Sequence, residues 1–285
     1  MKSILEEARK KYHRELLSEK ILTIDTNGIP SNADKDSKLS INIAQGIAAR
    51  LTAETQEKVQ GQTSGAKFEQ VNMNFLQDTF PKLQNLRPGK WHIEKLGNRN
   101  AIKTSSFVQY EHLDYLGQLT KGDASLAASL GNDYMVSPDV VIYRESEADD
   151  FINQPFPIVD CTTGNLASIR RSNNPLPILH ASISAKWTMR SDRAQNSRTE
   201  ALGLIRNRKG HLPHIIVVTG EPMPSRIASL ALGTGDIDCV YHFALYELIA
   251  SVEDSQAEDA KEMLDLLIKG KRLKDISDLP LDLSV

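Results

Sequence analysis

The sequence predicts an α/β fold in which a central β-sheet is flanked by helices. In the second half of the chain, β-branched apolar runs alternate with segments of helical apolar spacing. In the first half, apolar residues recur mostly at the spacing of amphipathic helices. No internal repeat, low-complexity tract or clear linker interrupts the sequence, so residues 1–285 are predicted to form a single domain.

Helices are predicted where apolar residues return every three or four positions. These segments are Ser3–Lys20, Ile41–Leu51, the stretch after Gly65, Phe107–Leu130 with a break near Gly122, Ala194–Asn207, Tyr241–Val252 and Ala260–Ile268. Loops are predicted from clusters of Gly, Pro, Asn, Asp and Ser. They are Thr26–Ser37 and Gly61–Gly65, where Thr63 or Ser64 is a good helix N-cap.

Strands are predicted at short runs that are rich in β-branched and aromatic residues. These runs are Trp91–Glu94, Val140–Tyr143, Phe156–Asp160, Ile178–Met189 and Ile215–Val218. Their alternation with helical segments is the pattern expected for a sheet with helices on its faces.

The composition is that of an ordinary soluble protein, with 40% apolar and 25% charged residues and a formal net charge of −3. This charge argues against a non-specific nucleic-acid coat, but it permits a nuclease that gathers basic residues in one cleft. Cys161 and Cys239 lack metal-ligand spacing and are predicted to be free thiols. No signal-peptide pattern and no membrane-spanning apolar run is found, so a cytoplasmic location without a membrane partner is predicted.

The ten residues from Ser184 to Arg193 combine two chemistries. On an extended segment Ser184 and Lys186 point to the same face, and a lysine in an otherwise apolar strand needs a partner or a task. Arg190, Asp192 and Arg193 follow, and arginine donates to guanine O6 and N7 while a carboxylate accepts from cytosine N4. The alternatives are an edge strand whose lysine faces solvent and a charged helix start that Asp192 caps.

Two further acidic residues are candidates for the same site. Asp139 opens the run Val140–Tyr143, and a carboxylate at a strand edge can hold a divalent cation, usually Mg²⁺ beside phosphate. The Pro138–Asp139 pair on its own favours an ordinary turn. Glu200 lies seven residues after Arg193, and two helical turns place both on one face. The alternative for Glu200 is an exposed helix glutamate.

Asp139, the strand Ser184-x-Lys186 and Glu200 resemble the permuted active site of PD-(D/E)xK nucleases. The acidic residue usual two positions before the lysine is Ser184 here, and the displaced carboxylate is Glu200. This rearrangement is typical of CCGG-cutting type II restriction endonucleases, and the chain resembles the NgoMIV-like, type IIF members along nearly its whole length. The matching stretches are Ser31–Asp34, Gly61–Gly65, His180–Trp187, Arg190–Asn196, Arg206–Gly210, Pro224–Ile227, Ala231–Gly235, Ile237–Leu248 and Gly270–Leu283.

The resemblance implies a PD-(D/E)xK restriction-endonuclease-like core, with a central mixed β-sheet flanked by helices. It also implies Mg²⁺-dependent hydrolysis of duplex DNA, with two ions in each active site. The implied metal ligands are Asp139, the backbone carbonyl of Ala185, Glu69 and Glu200. Lys186 would activate the attacking water and contact the scissile phosphate, and Ser184 would be a hydrogen-bonding site residue. The family has Cys at position 185, a change that a carbonyl ligand tolerates.

The resemblance also implies how DNA is read. Arg190, Asp192 and Arg193 would specify a CCGG core, and three residues would contact the outer base pair: Asp34 from the major groove, and Gln62 and Arg226 from the minor groove. Asp36 stands where the family has Ser, next to these contacts. The implied site is GCCGGC, cut before the inner CCGG to leave a 5′ overhang. The implied partners are three further copies of the chain, as a dimer of dimers, and a cognate methyltransferase.

Three readings of the function follow from the residues. The leading one is a site-specific DNA endonuclease. A second is a sequence-specific DNA-binding protein without cleavage, or a nuclease with a different outer base pair. A third is a hydrolase with a Ser184–Lys186 dyad, although no strained Gly-rich nucleophile turn surrounds Ser184.

Overall fold

The computed structural model describes residues 2–52, 61–96, 103–121, 138–189, 191–233 and 235–285. At residues 61–63, 120–121 and 191–194 it describes only the helical backbone. The helices are α1 (Ile4–Ser18), α2 (Lys38–Arg50), α3 (Gly61–Thr79), α4 (His112–Lys121), α5 (Asp149–Ile152), α6 (Ser191–Asn207), α7 (Pro224–Ala231), α8 (Leu245–Ser255), α9 (Glu258–Lys269) and α10 (Leu279–Asp282). The strands are β1 (Trp91–Lys95), β2 (Val140–Arg144), β3 (Ile178–Lys186), β4 (His214–Thr219), β5 (Cys239–His242) and β6 (Leu273–Asp275).

These six strands form one mixed sheet, in the order β1-β2-β3-β4-β5-β6. β1 runs antiparallel to β2, with Trp91 opposite Arg144. β4, β5 and β6 are parallel, with Ile216 opposite Cys239 and Val240 opposite Leu273. Parallel neighbours need crossover connections, which α7 supplies between β4 and β5, and α8 and α9 supply between β5 and β6. The prediction of a mixed sheet flanked by helices is confirmed.

The chain divides into two compact units. Unit 1 comprises Met1–Arg87, Ile183–Arg198 and Ile215–Val285, and unit 2 comprises Pro88–Ser182 and Thr199–His214. β3 and α6 therefore contribute residues to both units. That residues 1–285 form a single domain stays a prediction.

The helices of unit 1 pack in pairs. α1 lies against α3, and α2 lies against α8. The second pair is close because Gly46 has no side chain: a Cβ there would lie 2.7 Å from the Oγ of Ser251. Buried apolar residues on the facing sides, among them Leu16, Ile43 and Phe68, hold the pairs together.

Unit 2 contains β1, β2 and the first residues of β3. Tyr143 on β2 packs against Phe107 with 5.4 Å between ring centroids. The Gln109 amide pairs with the backbone of Leu179: Nε2 donates to its carbonyl at 2.7 Å, and Oε1 accepts from its N–H at 3.0 Å. The Tyr110 hydroxyl donates to the carbonyl of Leu204 at 3.1 Å, which fastens the second half of α6 in this unit.

Most predicted elements are confirmed with small shifts at their ends. The confirmed helices are α1, α2, α6 and α9, together with the helix after Gly65, and the confirmed strands are β1 to β4. α2 begins earlier than predicted because the Oγ of Ser37 accepts the N–H of Ser40 at 3.2 Å and so caps the helix. Cys161 and Cys239 are free thiols, as predicted. Within the described ranges, every helix is too short or too polar to span a membrane.

Two predicted elements are wrong because their sequence signals were local. Gly61–Gly65 is not a loop but forms the first turn of α3 and the start of its second turn. Neither Thr63 nor Ser64 is therefore the N-cap of this helix. Phe156–Asp160 is not a strand. Its run is broken by proline, Phe156 is 70% exposed, and the Oδ1 of Asn153 accepts the backbone N–H groups that a neighbouring strand would otherwise take.

Two predicted helices have different bounds, and α5, α7, α10 and β6 were missed. Tyr241–Val252 is split into β5 and α8, because β5 pairs with strands on both sides and this pairing overrides helical spacing. The helix predicted at Phe107–Leu130 starts only at His112, and residues 122–130 lie outside the described residues. Of the missed elements, β6 is only three residues long.

Arg9 is the most heavily paired side chain joining α1 to the rest of unit 1. Its guanidinium donates twice to Asp275, both times at 2.9 Å, and twice to Glu247, at 3.0 and 2.6 Å. The Asp275 side chain is fully buried, so this charge depends on its partner.

We expect Arg9→Met to lower the free energy of unfolding by about 3–5 kcal/mol, because a buried carboxylate loses its cation. Urea unfolding followed by circular dichroism measures this change. The matched control is Lys10→Met, which removes an exposed ion pair with Glu6. The control should change stability by less than about 1 kcal/mol, and an equal effect of both variants would contradict the expectation.

Candidate active site

The carboxyl end of β3 places Lys186. β3 is buried over the seven residues between its ends, and Lys186 is its half-buried last residue. The backbone carbonyl of Lys186 accepts from the N–H of Gly220 at 3.2 Å and from the Oγ1 of Thr219 at 2.8 Å. Both donors come from the end of β4. The base of the Lys186 side chain is therefore fixed to the neighbouring strand.

Ser184 connects β3 to the helix that follows it. Its hydroxyl lies 3.4 Å from the hydroxyl of Ser197 on α6, and both side chains are buried. Ser197 belongs to the helix face that the sequence predicts for Arg193 and Glu200. A hydrogen bond is therefore found at Ser184, but its partner is a helix hydroxyl inside the protein.

Trp187 seals the end of β3 against the core of unit 1. Its ring centroid lies 5.0 Å from that of Phe68 and 5.1 Å from that of Phe243. Its Nε1 donates to the Oγ of Ser31 at 3.3 Å. A Cβ at Gly220 would come within 2.5 Å of the indole ring, so only glycine permits this approach of β4 to Trp187.

The loop before α2 holds one of the predicted base-reading residues. Asn32 donates its side-chain N–H to the carbonyl of Gly220 at 2.8 Å, which ties the loop to the end of β4. The Asp34 carboxylate is ion-paired with the guanidinium of Arg226 on α7. Asp34 also accepts the backbone N–H of Asp36 at 3.2 Å, while the Asp36 side chain is exposed. The structure therefore brings together Asp34 and Arg226, which the resemblance assigns to the same base pair.

Glu221 is a buried carboxylate with two backbone partners. One oxygen accepts the N–H of Met189 at 2.8 Å, and the other accepts the N–H of Met223 at 3.1 Å. Burial raises the pKa of Glu221 to about 7, although these two hydrogen bonds and Arg226 favour the charged form. Met189 is the last residue before Arg190, and Met223 is the N-cap of α7.

The predicted acidic residues lie on three different elements. Glu69 is half-buried on α3 in unit 1. Asp139, next to β2, and Glu200, on α6, are half-buried and belong to unit 2. Among the side chains that are described, no group of three Asp, Glu, His or Cys residues is placed to hold a metal ion. The metal ligands predicted from the sequence stay a prediction.

Several predicted DNA-binding residues lie at or beyond the limits of the description. Arg190 lies outside the described residues. Asp192 and Arg193 are in the first turn of α6, and Gln62 is in the first turn of α3, but only their helical backbone is described. Since α6 begins at Ser191, Asp192 is inside the helix and is not its N-cap.

The structure adds Glu221, Trp187 and Asn32 to the neighbourhood of Lys186 and Asp34. The sequence carried one usable signal: Glu221 comes two residues after the end of β4, and Asp139 comes directly before β2. For Trp187 and Asn32 no local signal existed, because their partners are distant in the chain.

Known proteins resemble this chain along its whole length. The family model described as the NgoMIV restriction enzyme matches residues 12–285. The type II restriction enzyme NgoMIV from Neisseria gonorrhoeae is 50% identical over 286 residues, which cover 100% of each protein.

Solved restriction-endonuclease structures overlap with this fold more loosely. The type IIF restriction endonuclease Bse634I with cognate DNA has 15% identity and a TM-score of 0.41, over 90% of this chain and 92% of that one. The PspGI–substrate DNA complex has 15% identity and a TM-score of 0.30, over 98% of this chain and 90% of that one.

The full-length match defines a type II restriction endonuclease, a DNA-binding, site-specific nuclease. The chain belongs to the NgoMIV restriction enzyme family. Type II restriction enzymes depend in general on a divalent metal ion.

The raised pKa of Glu221 makes stability depend on pH. Between its ordinary value of 4.5 and about 7, the folded protein holds a proton that the unfolded chain has released. Stability therefore falls as pH rises through this window, by about 3 kcal/mol. We expect Glu221→Gln to remove this fall, so that the stability of the variant relative to that of the wild type rises between pH 5 and pH 8. Urea unfolding at both values measures the difference, and a difference that stays constant with pH would contradict the expectation.

Proposed function

We propose that this enzyme cleaves duplex DNA at GCCGGC in the presence of Mg²⁺, before the inner CCGG, and leaves a 5′ overhang. The observation that carries the proposal is the position of Lys186 at the anchored end of β3. Only five positions later, Ser191 begins the helix whose first turn carries Asp192 and Arg193. A group suited to act on phosphate therefore directly precedes groups suited to read base edges.

The donor set fits a hard divalent cation. Asp139, Glu69, Glu200 and the backbone carbonyl of Ala185 offer oxygen atoms alone, the ligands that Mg²⁺ prefers. Ala185 is 7% exposed and lies within β3, where its backbone is held in place by the sheet. We propose two ions in each active site, whose charge stabilises the attacking and leaving oxygens of an in-line displacement.

Lys186 carries the protein's own part of the chemistry. Its ammonium group is a compact charge with three donors, which suits both a phosphate oxygen and a water molecule. Because the backbone carbonyl of Lys186 is held by Thr219 and Gly220, the ammonium extends from a fixed origin. We assign to it the positioning of the attacking water at the scissile phosphate. Ser184 keeps β3 and α6 together through its contact with Ser197.

Recognition is assigned to two groups of side chains. Arg190, Asp192 and Arg193 read the inner C·G pairs. The outer pair is read by Asp34, Gln62 and Arg226, and Asp36 binds DNA beside them. Asp34 and Arg226 are paired with each other here, and such partly exposed pairs contribute about 0–1 kcal/mol. The pair can therefore open at little expense when one side chain enters the major groove and the other the minor groove.

The proposed partners follow from the family resemblance. We propose a homotetramer of two back-to-back dimers that bridges two DNA sites, and a cognate methyltransferase that protects the same sites. We also propose a cytoplasmic location, in the same compartment as the DNA that the methyltransferase protects.

We expect Lys186→Ala and Asp139→Ala to lower the rate of cleavage at GCCGGC by about 10²- to 10⁴-fold, the usual loss when a catalytic group is removed. The measurement is plasmid cleavage with Mg²⁺, with sequencing of the cut ends. Binding to the same site should persist. The matched control is Lys269→Ala, which removes an exposed lysine paired with Asp265. Full activity of Lys186→Ala would refute the catalytic assignment.

The same assay separates the alternative functions. Binding without cleavage by the wild-type protein in Mg²⁺ would favour a DNA-binding protein. Cleavage that survives EDTA would favour a Ser184–Lys186 hydrolase. We expect EDTA to abolish cleavage.

We expect Asp34→Asn to relax selection of the outer base pair, because the amide loses one of the acceptor oxygens offered to cytosine N4. Discrimination should fall by about tenfold or more at the outer pair and stay unchanged at the inner pairs. The measurement compares cleavage of GCCGGC with that of duplexes changed at one pair. Asp254→Asn, in an exposed ion pair with Arg50, is the control. Unchanged outer selection in Asp34→Asn would count against the assignment.

A further inference from the structure

Glu221 joins the two segments that we propose read DNA. Its side chain is 1% exposed, and its two oxygens accept backbone N–H groups from Met189 and Met223, at 2.8 and 3.1 Å. One donor, the N–H of Met189, lies next to the start of the inner-pair segment at Arg190. The other lies at the start of α7, which carries Arg226.

The connection to the outer-pair residues runs through Met223. The carbonyl of Met223 accepts the N–H groups of Arg226 at 3.0 Å and of Ile227 at 3.1 Å, so Met223 fixes the first turn of α7. The guanidinium of Arg226 is in turn paired with Asp34. One carboxylate oxygen of Glu221 therefore sets the origin of the helix that carries Arg226.

The connection to the inner-pair residues is shorter. Met189 is buried, and its N–H is held by the second carboxylate oxygen at the point where the chain leaves β3. The next residue in the chain is Arg190. A shift of Met189 is passed on through the backbone to the residues that follow it.

A carboxylate is the side chain that this arrangement needs. Two N–H donors require two acceptor oxygens, and both the amide of glutamine and a protonated carboxyl group keep only one full acceptor. A buried carboxylate costs free energy compared with an apolar residue, but an apolar residue would leave both N–H groups unsatisfied. We infer that Glu221 is a positioning residue that couples reading of the inner and outer base pairs; this inference rests on the proposed function.

The experiment compares Glu221→Gln with Glu247→Gln. Glu247 is a matched control, because it is also a largely buried carboxylate with two donors, here from Arg9. For each protein, single-turnover cleavage and metal-free binding are measured on GCCGGC and on duplexes changed at one inner or one outer pair. The amide keeps one acceptor oxygen, so we expect Glu221→Gln to reduce one of the two discrimination ratios by about tenfold, the value of one lost hydrogen bond to a charged group, and Glu221→Met, which keeps neither acceptor, to reduce both. Glu247→Gln should keep both ratios.

A second variant removes only one of the two hydrogen bonds. Met223→Pro deletes the N–H at position 223, where ψ of 115° suits proline and φ of −89° lies about 10° outside proline's usual range, so only a small backbone adjustment is needed. We expect it to reduce the outer ratio and to leave the inner ratio intact. This variant also serves if Glu221→Gln does not fold.

A pH series supplies a readout that a purely structural role would not move. The charged or titratable groups that face Glu221 among the described residues are Asp34, Arg226 and His242. We expect one of the wild-type ratios to fall from pH 8 to pH 6, because Glu221 gains a proton and keeps only one full acceptor, and the ratios of Glu221→Gln to stay flat. Each discrimination ratio compares two duplexes at the same pH, so the pH dependence that hydrolysis has at every site cancels.

The outcomes separate the inference from the proposed function. If the wild type does not prefer GCCGGC, the proposed function fails. If it does and Glu221→Gln keeps both ratios, or Glu221→Met keeps either one, the coupling through Glu221 is refuted. Equal losses at both pairs in Met223→Pro would also refute the two separate connections.

Discussion

The junction between the ends of β3 and β4 is the contact on which the rest of the site depends. The bare Cα of Gly220 lets β4 approach the indole of Trp187, and the backbone of Lys186 is then bonded to Thr219 and Gly220. Asn32 bonds to the carbonyl of the same glycine, which brings in the loop before α2. The end of β3, the end of β4 and the loop before α2 therefore meet in one small backbone region, and a displacement at Gly220 would shift all three.

This junction also explains how a protein with a slightly negative net charge can handle DNA. Among the described side chains near it, the guanidinium of Arg226 is held by an acidic partner, Asp34. Such pairing keeps the charges oriented without a strongly basic surface. Sequence reading then depends on geometry at base edges more than on general attraction to phosphate.

The sequence alone predicts the fold well where pattern and pairing agree. β2, β3 and β4 follow from β-branched runs, because buried strands require such residues. β5 was missed, since its residues also fit helical spacing and only its two neighbouring strands decide the outcome. In the site, the alternation of Ser184 and Lys186 was visible. Glu221 was missed: its place after β4 was a usable signal, but its partners are backbone N–H groups, which every residue but proline carries and which leave no trace in the side-chain pattern.

The segment Pro222-Met223-Pro224 gives the Glu221 contact a defined register. Proline has no N–H, so across these three residues the chain offers a carboxylate a single donor, at Met223. A slip of one residue in either direction would present a ring nitrogen without hydrogen, and the bond would simply be missing. Met223 is thus a single hydrogen-bond donor between two residues that cannot donate. An insertion or deletion between Glu221 and Pro224 would therefore remove this hydrogen bond, even if the charge and hydropathy of the loop stayed the same.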